Sequence, residues 1–237
     1  MKGLKKQLFK LMLIGLITTG LVIPQKANAS TTKEKETTTE YTMKKAKKEY
    51  KDKDGIVRGV VYYQYPQFEG TSEAIKKINS QLKKESSKFL KSESAKSIQE
   101  YTEGAIENNA FYDEKDQYYF KTICKVSYNK NNIVSLHMTE EWYAGGVYNQ
   151  TDYGLNYNLK TGKKLTINDV ISGNAKDKIL KAAKKYCGSD DAAYKIIKNT
   201  KTYKFYFTKG KVYICYGSYE LNHGTSWDIF TVAGKYK

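Results

Sequence analysis

Two histidines, three cysteines and a few adjacent acids are the side chains through which this 237-residue chain could do chemistry. Their spacing argues against most of it. His137 and His223 fall in different predicted elements, and there is no Cys-x-x-Cys pair, no His-x-x-x-His helix and no Gly-x-Ser-x-Gly elbow. Zinc needs three or four N, S or O ligands held together, which this supply of histidines and dispersed cysteines does not offer, so no metal and no cofactor is expected. Cys124, Cys187 and Cys215 are an odd number in one chain, so no disulfide framework is implied. A nucleophilic pair of Cys215 with His223 is weighed against a buried structural thiol, and the structural reading is favoured. Glu140-Glu141 is the tempting pair of carboxylates for glycoside hydrolysis. Neighbours on a strand point to opposite faces, so the two cannot flank one bond. Asp113-Glu114 and Asp190-Asp191 read as loop or helix-start acids. The chain is expected not to be an enzyme.

The amino terminus sets the compartment. Lys2, Lys5, Lys6 and Lys10 form a basic region ahead of the apolar run Leu11–Ile23, and Ala27-Asn28-Ala29 reads as a signal-peptide cleavage site before Ser30. A run of that length falls short of the ~20 residues a spanning helix requires, so residues 1–29 are expected to be removed and the mature chain to contain no membrane span. The protein is then extracellular or cell-wall associated. Cleavage takes away five lysines and no acid, leaving 208 residues with a net charge of +11. Arg58 is the only arginine against forty lysines. Planar, bidentate recognition of phosphates and bases relies on arginine, so nucleic acid is not expected as a partner. A diffuse lysine field suits an anionic cell-wall polymer.

The elements that would position a site follow from periodicity. Residues 30–43 are poor in apolar side chains and read as a disordered stalk. Lys44–Tyr50 and Ile56–Tyr65 form a hairpin with a lysine-rich edge strand. Ile75, Ile78, Leu82 and Phe89 place one apolar stripe on a helix starting near Ser72, and a second helix carries Ile98, Tyr101, Ala105 and Ile106 on one face. Tyr118–Tyr128 and Ile133–Tyr143 alternate, with Val134, Leu136 and Met138 facing one way and Ser135, His137 and Thr139 the other. Tyr153–Leu159 returns, followed by a short helix near 168–171 and a longer one from Asn174 to about Tyr186, with Ile179, Ala183 and Tyr186 buried. A hairpin of Tyr203–Phe207 and Val212–Tyr216 and a last strand Trp227–Val232 close the chain. This order predicts an α+β fold of antiparallel sheets with helices packed on one side, in two small subdomains, 44–146 and 147–237.

The stretch Val134–Val170 combines Glu141-Trp142-Tyr143, the pair Gly145-Gly146, the strand Tyr153–Leu159, the turn Lys160-Thr161-Gly162-Lys163 and Leu165–Val170. In this order it resembles the extracytoplasmic domain of RsiV-like proteins, the lysozyme-binding part of sigma-V anti-sigma factors. Tyr65-Pro66-Gln67, Gly70 and the amphipathic helix after them resemble the first domain of the same family, which also accompanies some peptidoglycan deacetylases. The family often carries Ala-His after the paired glycines, where this chain has Val147-Tyr148. Ten residues ahead of the apolar run are too few for a cytoplasmic sigma-binding module, so the chain by itself is not an anti-sigma factor.

The resemblance implies binding of a lysozyme through two loops, one at Gly145 and one at Ser218–Gly224. Tyrosine is in excess, 22 residues against two tryptophans, and supplies rigid amphipathic contact area at low entropic cost. Most of these tyrosines read as ordinary strand residues. Those beside flexible glycines are candidates for recognition, since loops carried on sheets are where binding concentrates. The candidate binding set is Tyr143, Gly145, Gly146, Tyr148 and Asn149 on the first loop, and Ser218, Tyr219, Glu220 and His223 on the second.

Overall fold

A computed structural model describes residues 36–237. The signal segment, its cleavage site at Ala29-Ser30 and most of the stalk lie outside the described residues.

Two β-sheets carry the fold. The larger has six strands in chain order, β1 (Tyr41–Lys51), β2 (Val57–Phe68), β3 (Tyr118–Lys130), β4 (Ile133–Ala144), β5 (Val147–Asn158) and the two-residue β6 (Lys163–Lys164). The smaller is a meander of β7 (Lys204–Thr208), β8 (Lys211–Tyr216) and β9 (Asp228–Ala233). The sheets are not wholly antiparallel. β2 and β3 run parallel, Gly59 opposite Tyr118 through Tyr63 opposite Thr122. The connection between them is a crossover carrying α1 (Glu73–Phe89) and α2 (Glu93–Glu107), and a crossover returns the chain in its original direction. The stalk also ends sooner than the composition suggests: Tyr41–Met43 already pair with Pro66–Phe68, and the Tyr41 ring packs on Phe68.

Each face of the large sheet has its own core. One face receives α1 and α2, with Ile78, Leu82 and Ile98 against Val61, Leu136 and Met138. Ser72 and Ser92 cap the two helices, each side-chain oxygen accepting an N–H three residues on at 3.3 Å. Thr102, not Tyr101, lies on the buried stripe of α2; Tyr101 is mostly exposed with its ring edge toward Trp142. Gly59 permits the close approach there, since a Cβ at that position would fall 2.3 Å from Thr102 Oγ1.

The opposite face meets the small sheet. Ile179, Ala183 and Ile197 from α4 (Ala175–Cys187) and α5 (Asp191–Asn199), with Val170 from the single turn α3 (Ile167–Val170), pack with Phe207, Ile214 and Phe230. Tyr186 is not buried with Ile179 and Ala183; its ring lies at the rim against Phe230. The helices therefore belong to two cores rather than one side of the molecule.

β7 is the outer strand of the small sheet, and its unpaired edge points at the large one. Polar side chains satisfy it: Ser135 Oγ accepts Phe207 N–H at 2.9 Å, Ser127 Oγ donates to Phe207 O at 2.8 Å, and Asn156 Nδ2 donates to Phe205 O at 2.9 Å. Ser135 also donates to Asn156 Oδ1 at 2.7 Å. Buried backbone groups must find such partners, which accounts for a serine and an asparagine at almost no exposure within β4 and β5. Gly154 lets the strands approach, because a Cβ there would lie 1.9 Å from Phe205 O.

Candidate functional site

Gly145-Gly146 forms a two-residue turn rather than an open loop. Ala144 pairs with Val147 across it, and both glycines have positive φ, 57° and 96°, as a primed hairpin turn requires. β4 and β5 consequently stay paired up to the tip, which places Tyr143 directly opposite Tyr148. Tyr119 of β3 pairs with Tyr143 on the other side, ring centroids 5.5 Å apart. Lys121 Nζ sits 4.1 Å above the Tyr119 ring and 2.9 Å from Glu141 Oε2. Three tyrosines thus form a row on one face of the sheet. Asn149 is not part of it: opposite Trp142, it points to the other face, where its Oδ1 is buried and unpartnered among the described residues.

Behind this row runs a polar network that sequence reasoning missed. Tyr148 Oη donates to Gln150 Oε1 at 2.7 Å, and Gln150 Nε2 donates to Asp152 Oδ2 at 3.0 Å. Asp152 Oδ1 accepts Thr139 Oγ1 at 2.8 Å and faces His137 Nε2 at 2.5 Å. The His137 ring stacks on Tyr206 at 3.9 Å, and Tyr206 on Tyr213 at 4.6 Å. Burial works to raise the Asp152 carboxyl, but the hydrogen bonds from His137, Gln150 and Thr139 outweigh it and hold the group below the ordinary carboxylate value. Burial, with Glu141 nearby, pushes the Tyr148 hydroxyl up to about 12. The alternation of Ser135, His137 and Thr139 was the signal for the face; which residues cross the sheet to meet it depends on register.

The second loop is fastened to the first hairpin. Ser218 N–H donates to Gln150 O at 2.9 Å, and Gln150 N–H donates to Ser218 Oγ at 3.1 Å. Gly217 allows this approach, since a Cβ there would fall 2.2 Å from Thr151 Oγ1. Tyr219 adopts φ 66° and is more than half exposed, with its N–H closing the loop onto Gly224 O at 2.7 Å. Glu220 is exposed but tied to its own loop: its carboxylate accepts Gly217 N–H at 2.8 Å and pairs with Lys204 at 2.5 Å.

His223 anchors the far end of the loop. Its Nδ1 lies 3.0 Å from Asp228 Oδ1 and its Nε2 2.9 Å from Asp190 Oδ2, while Tyr186 Oη donates to Asp228 at 2.5 Å. The Asp190 contact, then the Asp228 contact, raise the imidazole above its usual value. Asp190 doubles as N-cap of α5, accepting Ala193 N–H at 2.9 Å.

The predicted set therefore divides. Tyr143, Tyr148, Ser218 and Tyr219 converge through Gln150, whereas Glu220 and His223 hold the loop and Asn149 faces away. Neither histidine lies on a thiol. Burial pushes the Cys124 thiol up to about 12 and raises Cys215 further, whose Sγ contacts Tyr213 O at 3.7 Å. Among the described residues no group of three or more His, Cys, Asp or Glu side chains is placed to hold a metal ion, and no helix is long and apolar enough to cross a membrane.

Residues 51–148 match the family model described as Deacetylase PdaC, a segment that runs from the end of β1 to Tyr148. This segment is similar to the PdaC domain. The fold around this segment is similar to that of a solved DUF3298 protein. A DUF3298 member from Bacteroides fragilis is 16% identical with a TM-score of 0.52, covering 84% of this chain and 92% of that one. A second, from Pseudomonas aeruginosa, is 13% identical with a TM-score of 0.48, covering 82% and 89%. At 16% identity the likeness to the first is one of fold. No curated protein matches the chain.

Proposed function

We propose that this is an exported, non-catalytic binding protein of the bacterial cell envelope that engages a lysozyme through the surface of Tyr143, Tyr148 and Tyr219. The supporting observation is the pairing of Ser218 with Gln150, which joins the two loops into one patch two residues from Tyr148. The non-catalytic reading is supported by the engagement of both histidines, His137 with Asp152 and Tyr206, His223 with Asp190 and Asp228. Animal-type lysozymes are basic, and a partner of net charge +11 repels them at long range. The patch offers no surplus of acid to reverse that sign, because Glu141 is paired with Lys121 and Glu220 with Lys204. Affinity must then come from desolvated short-range contacts with aromatic anchors. Calorimetric titration of the chain from Ser30 with animal-type lysozyme at physiological salt tests this. Saturable micromolar binding that Tyr148→Ala abolishes, and that added salt does not weaken steeply, is the result expected; no heat overturns it.

A second reading has its own observation. Lys44, Lys45, Lys47, Lys48 and Lys51 are exposed along β1, a surface suited to an anionic wall glycan or teichoic polymer. Retention on purified cell wall that vanishes with moderate salt and survives Tyr148→Ala distinguishes it, since counterion-driven binding depends on charge number rather than one side chain.

A further inference from the structure

The two cores leave a cleft between them. Leu155 belongs to the first core and Leu165, Tyr203 and Phe205 to the second, yet all four line one groove of about 710 Å³. They keep 8, 6, 9 and 8% exposure, whereas Val170, Ile179 and Ile214 deeper in the second core keep none. Tyr153 and Ile167, each half-buried, extend the apolar wall. A recess of this size with mostly apolar walls and a few polar groups is the form that small-molecule sites take.

Its charge has one sign. Lys164, Lys201 and Lys204 line the groove and no carboxylate does. Lys204 pairs with Glu220, which lies outside the lining, and Asp169 of α3 is held by Lys163 and the Thr166 N–H. Lys164 and Lys201 are exposed and make no ion pair among the described residues. A sugar or a peptide carries polar groups along its whole length, and Leu155, Leu165 and Phe205 offer them no partner. A hydrocarbon body with an anionic head uses both the walls and the ammonium groups. Because the apolar side chains are recessed rather than spread over a surface, the hydrocarbon must leave a bilayer to reach them.

We propose that this cleft binds a free single-chain fatty acid, with its tail against Leu155, Leu165 and Phe205 and its carboxylate at the rim formed by Lys164 and Lys201. The site includes none of Tyr143, Tyr148 and Tyr219, and it stands whether or not the lysozyme reading holds.

The test titrates dodecanoate, below its micelle concentration, into the ¹⁵N-labelled chain from Ser30. Saturable binding is expected, with amide shifts confined to residues 153–156, 164–168 and 201–205. Decanoate and octanoate should follow, each methylene removed weakening the complex about fourfold. Decanol should bind about tenfold less tightly than decanoate, and the double variant Lys164→Glu, Lys201→Glu, at two exposed sites, should remove that preference while leaving the thermal midpoint unchanged. Thr202→Trp puts an indole at an exposed position of the lining, and should abolish dodecanoate binding in a chain that still melts cooperatively. Four results overturn the proposal: no saturable binding, affinity independent of chain length, binding that Thr202→Trp leaves unchanged, or association with anionic phospholipid vesicles by a chain that ignores free dodecanoate, which would mean that the lysines serve a membrane surface.

Discussion

At the scale of single residues, Arg58, Ser135 and His223 hold backbone and loops in place. Arg58, the one arginine, donates to Asp52 at 2.8 Å and to Asp113 O at 2.5 Å, tying the β1–β2 turn to the segment before β3. That role needs a planar fork. Ser135 is the most consequential serine, because its hydroxyl serves Phe207 and Asn156 together in a dry setting. Ser135→Ala should cost about 1–3 kcal/mol in chemical denaturation, the penalty for stranding a buried donor. His223 gives a pH dependence. Its pKa is raised in the folded chain, so its contribution is fully present below the unfolded value of ~6.5 and is lost as pH rises through the higher folded value. Amide exchange in residues 218–226 should accelerate over that window. Asp190→Asn should bring the His223 titration, followed by NMR, back toward the ordinary value.

At the scale of elements, the turns decide what is presented. The paired glycines read as a flexible recognition loop in the sequence, yet they make a two-residue turn as short as the Asn131-Asn132 turn between β3 and β4. Gly145→Ala forces a side chain into positive φ and brings its Cβ to 3.1 Å from the Tyr118 hydroxyl, so a loss of about 1–2 kcal/mol is expected in a thermal melt. Replacing the pair by Asn-Gly, which suits the same turn, should be nearly neutral. The alternation of β4 and the stripe of α1 were readable because each presents a face to one core and repeats at the period of its element. The early part of β5 was not, since Tyr148, Gln150 and Asp152 face a polar network and leave no apolar alternation to detect. α5 was hidden for a related reason: at nine residues, its apolar pattern is too short to separate from its surroundings.

At the scale of the whole described molecule, one sheet serves two cores. Val134, Leu136 and Met138 belong to the first, while Ser135 and His137 between them meet the small sheet. The Gly146 position, where the sequence suggested a division, is a hairpin inside that sheet, and residues 36–237 form one compact unit. Fragments 44–146 and 147–237 expressed apart should therefore show no cooperative melt, because the first lacks Leu155 and Tyr157 from its core and the second loses its pairing partner. The intact chain should unfold in a single transition by circular dichroism and by tyrosine fluorescence.

Hydrophobic periodicity, charge and the order of motifs were sufficient to establish the α+β class, the two helices of the first core, the inward and outward faces of β4 and the resemblance to the PdaC domain. These are local properties, written in spacings of two to seven residues. The parallel β2–β3 pair, the fastening of Ser218 to Gln150 and the pairing of Glu220 with Lys204 and of His223 with Asp190 and Asp228 were decided by tertiary structure. Each depends on which residues, up to some seventy positions apart, come to share a hydrogen bond, and that choice is made by register and by the need to satisfy every buried backbone group.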